Sequence, residues 1–283
     1  MKSFRPEYCS GLFYGMHMAD QHPPRALNRN RGKLLIPASL LGALLLWYLI
    51  SDLGNYPTYI LPTPLQVIGR LIQVIQDGSL FRHSLVTLEE VVSGLGIGLS
   101  VAVVLGYGLA KSRWLERILA PYIVASQAIP IVAIAPLLVI WFKPGILSKI
   151  LITALIVFFP ILVNMVVGLR AVPEDLYDLM RSLQASRWQT LRYLEIPAAL
   201  PVFLGGLRIG ATLAVIGAVV GEFVGADRGL GFLVNVGRGV YDTPLVFVAV
   251  FTLVTMAFGL YGIVSLLEYR LLAWQRRPNS DPL

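Results

Sequence analysis

The sequence predicts an all-α integral membrane protein with six transmembrane helices, and three observations support this fold class. Apolar residues make up 56% of the 283 residues and charged residues only 14%, with a mean hydropathy of +0.72. Soluble domains average about a quarter charged residues. The apolar residues form runs of the roughly 20 residues needed to cross a bilayer. The run at 150–169 lacks the polar–apolar alternation of membrane strands, which favours helices.

The predicted spans follow the apolar runs in chain order. They cover residues 34–51, 90–110, 118–141, 150–169, 207–224 and 245–267. The first span follows about 33 mostly polar residues without a small-residue cleavage site. This pattern indicates an uncleaved anchor rather than a signal peptide.

The distribution of basic residues predicts the orientation of the spans. With the N-terminus inside, 17 of the 23 Lys and Arg residues fall in inner segments, whereas Lys149 and the remaining ones fall in outer segments. Because Lys and Arg are retained in the cytoplasm, both termini are expected there. The predicted organisation is a cytoplasmic tail at 1–33, a transmembrane domain at 34–270 and a second cytoplasmic tail at 271–283.

Two connections on the predicted outer side have structure of their own. Thr63 and Gln66 form a capping box, Pro64 fits the first helical position, and Gly78 can end the helix. The apolar residues of this segment share one face: Leu65, Ile68, Ile72 and Ile75. The pattern predicts a short amphipathic helix along the outer membrane surface. The Gly-rich segment 225–244 is expected to dip into the membrane edge, where protein or water satisfies its backbone.

The polar connection at 172–210 carries an apolar face with helical periodicity. Its apolar residues recur at i, i+3, i+4 and i+7, namely Leu176, Leu179, Met180 and Leu183. Its arginines place it in the cytoplasm. A connection that only satisfied the topology would need no such periodicity. The segment therefore predicts a docking surface on the cytoplasmic side.

The chain carries no motif for catalysis or metal binding. Its single cysteine, Cys9, and its three scattered histidines lack ligand spacing. Neither a metalloprotease motif nor a serine-hydrolase motif occurs. A phosphate-binding loop is also missing, because Lys33 is followed by Leu34 without a matching upstream glycine. We therefore expect no enzyme and no cofactor in this chain, with any ATP hydrolysed by another one. The net charge of +7 lies beside the spans, so nucleic acid is not an expected partner.

Four residues are candidates for a translocation path: Gln127, Pro130, Pro136 and Glu222. The two prolines interrupt the third span, and broken helices often line transport paths. Gln127 is the polar side chain beside the first interruption. Prolines are also common in membrane helices generally, and Glu222 and Glu90 can equally be solvated or ion-paired at the membrane edge. No basic residue is evident deep within the spans, and the scarcity of acidic residues there argues against a secondary carrier.

Several separated motifs occur in one order along the chain. They are YILPTPLQV (59–67), AIPIVAIAPLLVIWF (128–142), LQASRWQ (183–189), IPAALP (196–201), GLRIG (206–210) and GEFVGADRGLGFLV (221–234). Together they resemble binding-protein-dependent ABC importer permeases. The resemblance is to the branch with sulfonate, taurine, nitrate, riboflavin and hydroxymethylpyrimidine permeases, and it covers about residues 34–270.

The resemblance implies that 170–206 is the cytoplasmic coupling loop, which docks on a separate ATPase. The hallmark of the family is Glu-Ala-Ala, three residues and then Gly. Here Asp178, Leu179, Met180 and Gln184 stand at those positions, so all four differ. Asp178 keeps the negative charge of the hallmark glutamate. Leu179 and Met180 are larger than the two alanines and so enlarge the apolar surface that would enter a groove on the ATPase. Gln184 replaces a glycine that allows a tight turn.

The same loop continues through Ala185, Ser186 and Pro197. Ser186 and Gln189 form a second capping box, which predicts a helix that starts after Ser186. These residues complete the coupling-loop assignment that the resemblance implies.

The resemblance also implies partners, a function and a location in a bacterial-type cytoplasmic (inner) membrane. The chain would be one half of the membrane pathway of an ATP-driven importer. It would act as a homodimer with two copies of an ABC ATPase that binds ATP–Mg, and an extracytoplasmic binding protein would deliver the solute. The expected solute is a vitamin or heterocyclic precursor such as riboflavin or hydroxymethylpyrimidine. Alternatives are import of sulfonate, taurine or nitrate by the same machinery, a secondary carrier without an ATPase, and a membrane scaffold that transports nothing.

Overall fold

The computed structural model describes the backbone of residues 29–276 and the side chains of residues 37–274. The outer parts of both predicted tails, 1–28 and 277–283, lie outside the described residues, and Cys9 lies there too. Within the described range every regular element is a helix, which confirms the all-α fold class. The chain divides after Gly54 into two compact units.

The first unit contains one described helix, α1 (Arg29–Leu53). Its apolar part, Pro37–Leu53, is shorter than the candidate membrane spans of the second unit. The helix covers the predicted first span at 34–51, so the helical state of that segment is confirmed. Its crossing of the membrane stays a prediction.

The second unit contains the other helices. They are α2 (Pro64–Gln76), α3 (Ser79–Lys111), α4 (Arg113–Gln127), α5 (Ile131–Phe142), α6 (Ile146–Arg170), α7 (Glu174–Ser182), α8 (Arg187–Thr190), α9 (Ile196–Gly225), α10 (Leu230–Gly239) and α11 (Thr243–Leu271). A π-helical turn, Leu191–Glu195, joins α8 to α9. A 3-10 turn, Ala273–Arg276, follows α11.

Four helices of the described chain are long and apolar enough to cross a membrane. They are α3, α6, α11 and the continuous helix from Arg187 to Gly225 that includes α9. Helices α4 and α5 form a fifth candidate that is bent by 99°. The bend lies at the predicted interruption, since Pro130 is the residue that caps the start of α5. These five candidates correspond to the last five predicted spans.

Helix α6 forms the centre of the second unit and packs against both α3 and α9. Its residues Val157, Ile161 and Leu162 are fully buried in the core. Glycines of α3 allow this close approach. A Cβ on Gly98 of α3 would lie 2.7 Å from the Ala154 carbonyl oxygen, a distance too short for any side chain.

Replacing Gly98 with leucine is therefore expected to destabilise the protein, because α3 and α6 would have to separate. Overpacking of this kind costs about 1–3 kcal/mol or more. Gly96→Leu is the matched control, because nothing lies within 4 Å of a Cβ on Gly96 of the same helix. The measurement is the midpoint of thermal unfolding in detergent. Equal midpoints for the two variants would contradict this account of the packing.

Helix α2 begins and ends as its sequence predicts. Thr63 and Gln66 form both hydrogen bonds of the capping box, and Gly78 follows the helix with φ of 66°. Val67 and Val74 form its buried side, whereas the predicted apolar face is exposed: Leu65, Ile68, Ile72 and Ile75. This exposed stripe is what a helix lying on a membrane surface requires.

Candidate functional site

The predicted coupling loop is a helix–turn–helix at one end of the second unit, which we call the loop end. Helix α7 carries Glu174 and Asp175 in its first turn and Arg181 in its last turn. This placement of charge complements the helix dipole at both ends. From Ile196 onward the chain already belongs to α9, so the helix begins before the predicted span at 207–224.

Gln184 makes the turn after α7 in the left-handed conformation, with φ of 51°. The Ala185 amide donates to the Met180 carbonyl at 3.0 Å, and the Gln184 amide donates to the Arg181 carbonyl at 2.9 Å. This pair of hydrogen bonds is the Schellman motif, which ends many helices at a glycine. The turn therefore keeps the geometry that glycine favours, with glutamine in its place.

Replacing Gln184 with glycine is expected to stabilise this turn. A left-handed residue with a Cβ costs about 1–2 kcal/mol, which glycine avoids in the folded state. The expected result is amide hydrogen exchange in 180–186 that is slower by about fivefold, the factor that corresponds to 1 kcal/mol. Gln184→Val is the control with the opposite expected effect. It should make amide hydrogen exchange in 180–186 faster, because β-branched residues fit the left-handed conformation poorly. Identical exchange in the three proteins would contradict the argument.

The second half of the loop also forms as predicted. The Ser186 side chain accepts from the Gln189 amide, and the Gln189 side chain accepts from the Ser186 amide. Helix α8 starts there and continues through the π-helical turn into α9, where Pro197 occupies the first turn. Pro197 lacks the amide for one hydrogen bond of this continuous helix, and the π-helical turn directly before it is the kind of local adjustment that accommodates proline in membrane helices.

The loop presents large apolar side chains to its surroundings. The exposed fractions are 53% for Leu179, 68% for Leu183 and 67% for Trp188, while Met180 is half-buried. Exposed apolar groups this close together mark an interaction surface. Leu179, Met180 and Leu183 are thus accessible on the loop, and their role as a docking face stays a prediction.

A second group of charged residues connects the loop to the spans. Lys111, the last residue of α3, pairs with Glu195 of the π-helical turn and lies 4.8 Å from the centre of the Tyr177 ring of α7. Arg170 at the end of α6 pairs with Glu116 of α4 at 2.6 Å. These pairs could not be identified from the sequence, because their members are far apart along the chain.

At the opposite end of the second unit, three charged side chains are buried. Glu90 of α3 is 0% exposed and pairs with Lys149 of α6 at 2.9 Å, and Glu222 of α9 is 1% exposed. For Glu90 the ion pair is confirmed and solvation is excluded. Lys149, which the sequence places in an outer segment, lies in the first turn of α6 and is buried. The sequence contains one indication of this burial, because Lys149 directly precedes a long apolar run.

Glu222 also receives hydrogen bonds that attach α10 to the spans. Its carboxylate accepts from the Thr87 hydroxyl at 2.6 Å and from the Gly231 amide. Thr87 in turn accepts from the Leu230 amide at 2.8 Å, and His83 accepts from the Gly229 amide at 3.0 Å. Side chains of α3 and α9 therefore satisfy the first amides of α10, which need external partners at any helix start.

The remaining candidates for the translocation path lie at the bend between α4 and α5. Gln127 ends α4, Pro130 precedes α5 and Pro136 lies within α5, and all three are exposed. Glu222 is instead enclosed within the described unit. The structure thus places the three exposed residues along one bent segment and Glu222 apart from them.

Long apolar helices, a bent helix pair and an exposed helical loop define a membrane transport subunit. Residues 94–273 match the family model of the binding-protein-dependent transport system inner membrane component. The chain belongs to this family and is the membrane-embedded permease component of an ABC importer.

Relatives and solved structures agree with this assignment. The chain is 48% identical to a riboflavin transport system permease protein of Chloroflexus aurantiacus, over 85% of this chain and 90% of the relative. It is 35% identical to a formylaminopyrimidine transport permease protein of Halalkalibacterium halodurans, over 83% of this chain and 93% of the relative. Sulfonate and taurine permeases belong to the same branch. A chain of the MetNI methionine ABC transporter shares the fold, with a TM-score of 0.63 at 19% identity over 69% of this chain and 97% of the other.

Proposed function

We propose that this permease imports a flat heterocyclic vitamin or vitamin precursor, with riboflavin as the first candidate. The observation that carries this proposal is the 48% identity with a riboflavin permease along most of both chains. A relative named for a formylaminopyrimidine supports the same class of solute.

The buried charges also favour an uncharged or weakly charged solute. Lys149 is the buried basic residue of the described spans, and it is already paired with Glu90 at 2.9 Å. A sulfonate or nitrate would have to compete with that carboxylate for the ammonium group, in a place where breaking a buried pair is costly. A heterocycle requires apolar and aromatic surface instead.

The proposed assembly has two copies of this chain, two ABC ATPases that bind ATP–Mg and one extracytoplasmic binding protein. The chain would cross the membrane six times, with both termini and the coupling loop in the cytoplasm. The bias of Lys and Arg towards one set of segments supports this orientation. The exposed face of α7 would enter a groove on the ATPase, since Leu179 and Leu183 need an apolar partner.

Closure of the ATPases on ATP would move the two coupling loops and convert the pathway between outward and inward openings. Docked helices move as rigid bodies, so nucleotide-dependent movement reaches the spans through packing. The bent α4–α5 segment, with Gln127 and Pro130 exposed at its bend, is the proposed path-lining element.

Reconstitution in proteoliposomes tests the proposal. The permease is combined with its cognate ATPase and binding protein, and uptake of riboflavin, hydroxymethylpyrimidine, taurine and nitrate is measured with and without ATP. The expected result is ATP-dependent uptake of a heterocycle. Uptake of taurine or nitrate alone would replace the proposed solute class. Uptake that needs no ATP and collapses with an ionophore would replace the importer with a secondary carrier, and no uptake of any solute would favour a scaffold.

A further inference from the structure

Helix α7 lies between two open clefts at the loop end. One cleft of about 820 Å³ is lined by residues of α3, α4, α6 and α7, and the other, of about 640 Å³, by residues of α3, α7, α8 and the π-helical turn. Lys111, Tyr177 and Arg181 line both clefts, so these side chains form the wall between them. Because space is open on both sides, close packing does not hold α7 to the spans along these faces.

Lys111 and Tyr177 make the contact across this wall. The Lys111 ammonium lies 4.8 Å from the centre of the Tyr177 ring and donates to its hydroxyl at 3.4 Å. A cation over an aromatic face is attracted by the ring quadrupole. Arg181, the third wall residue, pairs with Asp178 of its own helix at 2.7 Å and therefore does not reach the spans through that contact.

The same ammonium group binds Glu195 in the π-helical turn. The Glu195 side chain is only 4% exposed, and its carboxylate accepts from Lys111. Turns of π-helix are rare and often mark functional positions. This one leads directly into α9. Lys111 thus contacts three elements at once: the end of α3, helix α7 and the turn that begins α9.

We propose that Lys111, Glu195 and Tyr177, which we call the Lys111 cluster, transmit movement of the coupling loop to spans α3 and α9. The proposal rests on the proposed function, in which α7 docks on the ATPase. Lys111 and Glu195 are positioning residues that act through the helices they connect. The pair is half-buried, since the Lys111 side chain is 38% exposed and the Glu195 side chain 4% exposed. It is suited to this task because such a pair adds little net stability but determines which groups meet.

The docking face and the Lys111 cluster therefore have separable effects. Loss of the docking face removes the ATPase from the complex. Loss of the cluster leaves the ATPase bound and ATP hydrolysis active, but α7 then moves without the spans. The quantity that distinguishes them is the number of ATP molecules hydrolysed for each solute molecule imported.

The test uses Lys111→Met in the complete reconstituted transporter. We expect ATPase binding to persist and the ratio of ATP hydrolysed to solute imported to rise at least about fivefold, the lower end of ordinary coupling between sites. Lys111→Arg keeps the charge and the cation–aromatic contact and is expected to restore most of the coupling. Arg113→Met, an exposed neighbour in the larger cleft, removes the same charge and is expected to leave the ratio unchanged.

A second variant covers the case in which Lys111→Met fails to fold with Glu195 unpaired. Tyr177→Leu removes the contact with α7 and keeps the Lys111–Glu195 pair, and it is expected to raise the same ratio. Parallel loss of hydrolysis and uptake, or an unchanged ratio in a folded variant, would overturn the role of the cluster and leave the proposed function standing. Absence of ATP-dependent uptake by the unaltered chain would overturn the proposed function and the cluster's role together.

Discussion

Replacing Leu179 with aspartate is expected to abolish ATP-coupled uptake while the permease still enters the membrane. Leu179 is 53% exposed on α7, beside the half-buried Met180. Docking on the proposed ATPase would bury this side chain in an apolar groove, where a carboxylate loses its hydration without gaining a partner. A penalty of about 3 kcal/mol is typical of a central interface residue. It lowers the affinity for the ATPase by roughly 100-fold.

The measurements are co-purification of the ATPase with the detergent-solubilised permease and ATP-dependent uptake in proteoliposomes. Met180→Asp is expected to act in the same direction. Leu179→Met keeps an apolar side chain and should retain assembly, and Glu174→Gln alters charge on α7 away from the docking face. Normal assembly and uptake in both aspartate variants would remove the coupling role from this loop.

The spans and helix ends could be predicted from the sequence because their signals are local. A bilayer requires runs of about 20 apolar residues, and these runs correspond to α3, α6, α9 and α11. Capping boxes act over three residues, which is why the starts of α2 and α8 were predicted from Thr63 and Ser186. The interruption at Pro130 followed from the missing amide of proline, but the angle of the bend depends on packing against other helices.

The charged contacts could not be predicted because their partners meet only in the folded chain. Lys111 and Glu195 are 84 residues apart, and Thr87 and Glu222 are 135 residues apart. A charge at the end of an apolar run has two possible environments, membrane edge or helix contact, and the sequence alone does not distinguish them. Lys149 has the second environment, a helix contact, because α3 and α6 pack closely and bring it to Glu90.

The turn at Gln184 could be predicted only because Gln184 stands where the hallmark of the family has glycine. Glutamine has no preference for the left-handed conformation, and its local sequence contains no glycine that would mark the end of α7. The surrounding hydrogen bonds from Ala185 and Gln184 stabilise the turn nevertheless. The turn at Gln184 thus has the left-handed geometry that glycine favours, and Leu179 and Met180 are larger apolar side chains than the two alanines of the hallmark.

Replacing Lys149 with methionine is expected to destabilise the permease by about 3–5 kcal/mol, the usual cost of removing one partner from a buried ion pair. Glu90 is 0% exposed and pairs with Lys149 at 2.9 Å, and the Glu222 carboxylate is buried nearby. Without the ammonium group, two carboxylates remain in a low-dielectric interior. The measurement is the free energy of unfolding in mixed micelles. Lys143→Met is the matched control, since it removes an exposed lysine just before α6.

A double variant decides what the buried charge does. Glu90→Gln with Lys149→Met removes both charges and is expected to recover most of the lost stability, because neither group then needs a counter-ion. No recovery would mean that the loss arises from packing and not from the unpaired carboxylate. If the double variant is stable and still imports a heterocycle, the charge of Lys149 serves Glu90 and not the solute. Loss of import at normal stability would instead place the pair in the translocation path, and an anionic solute would then become the better candidate.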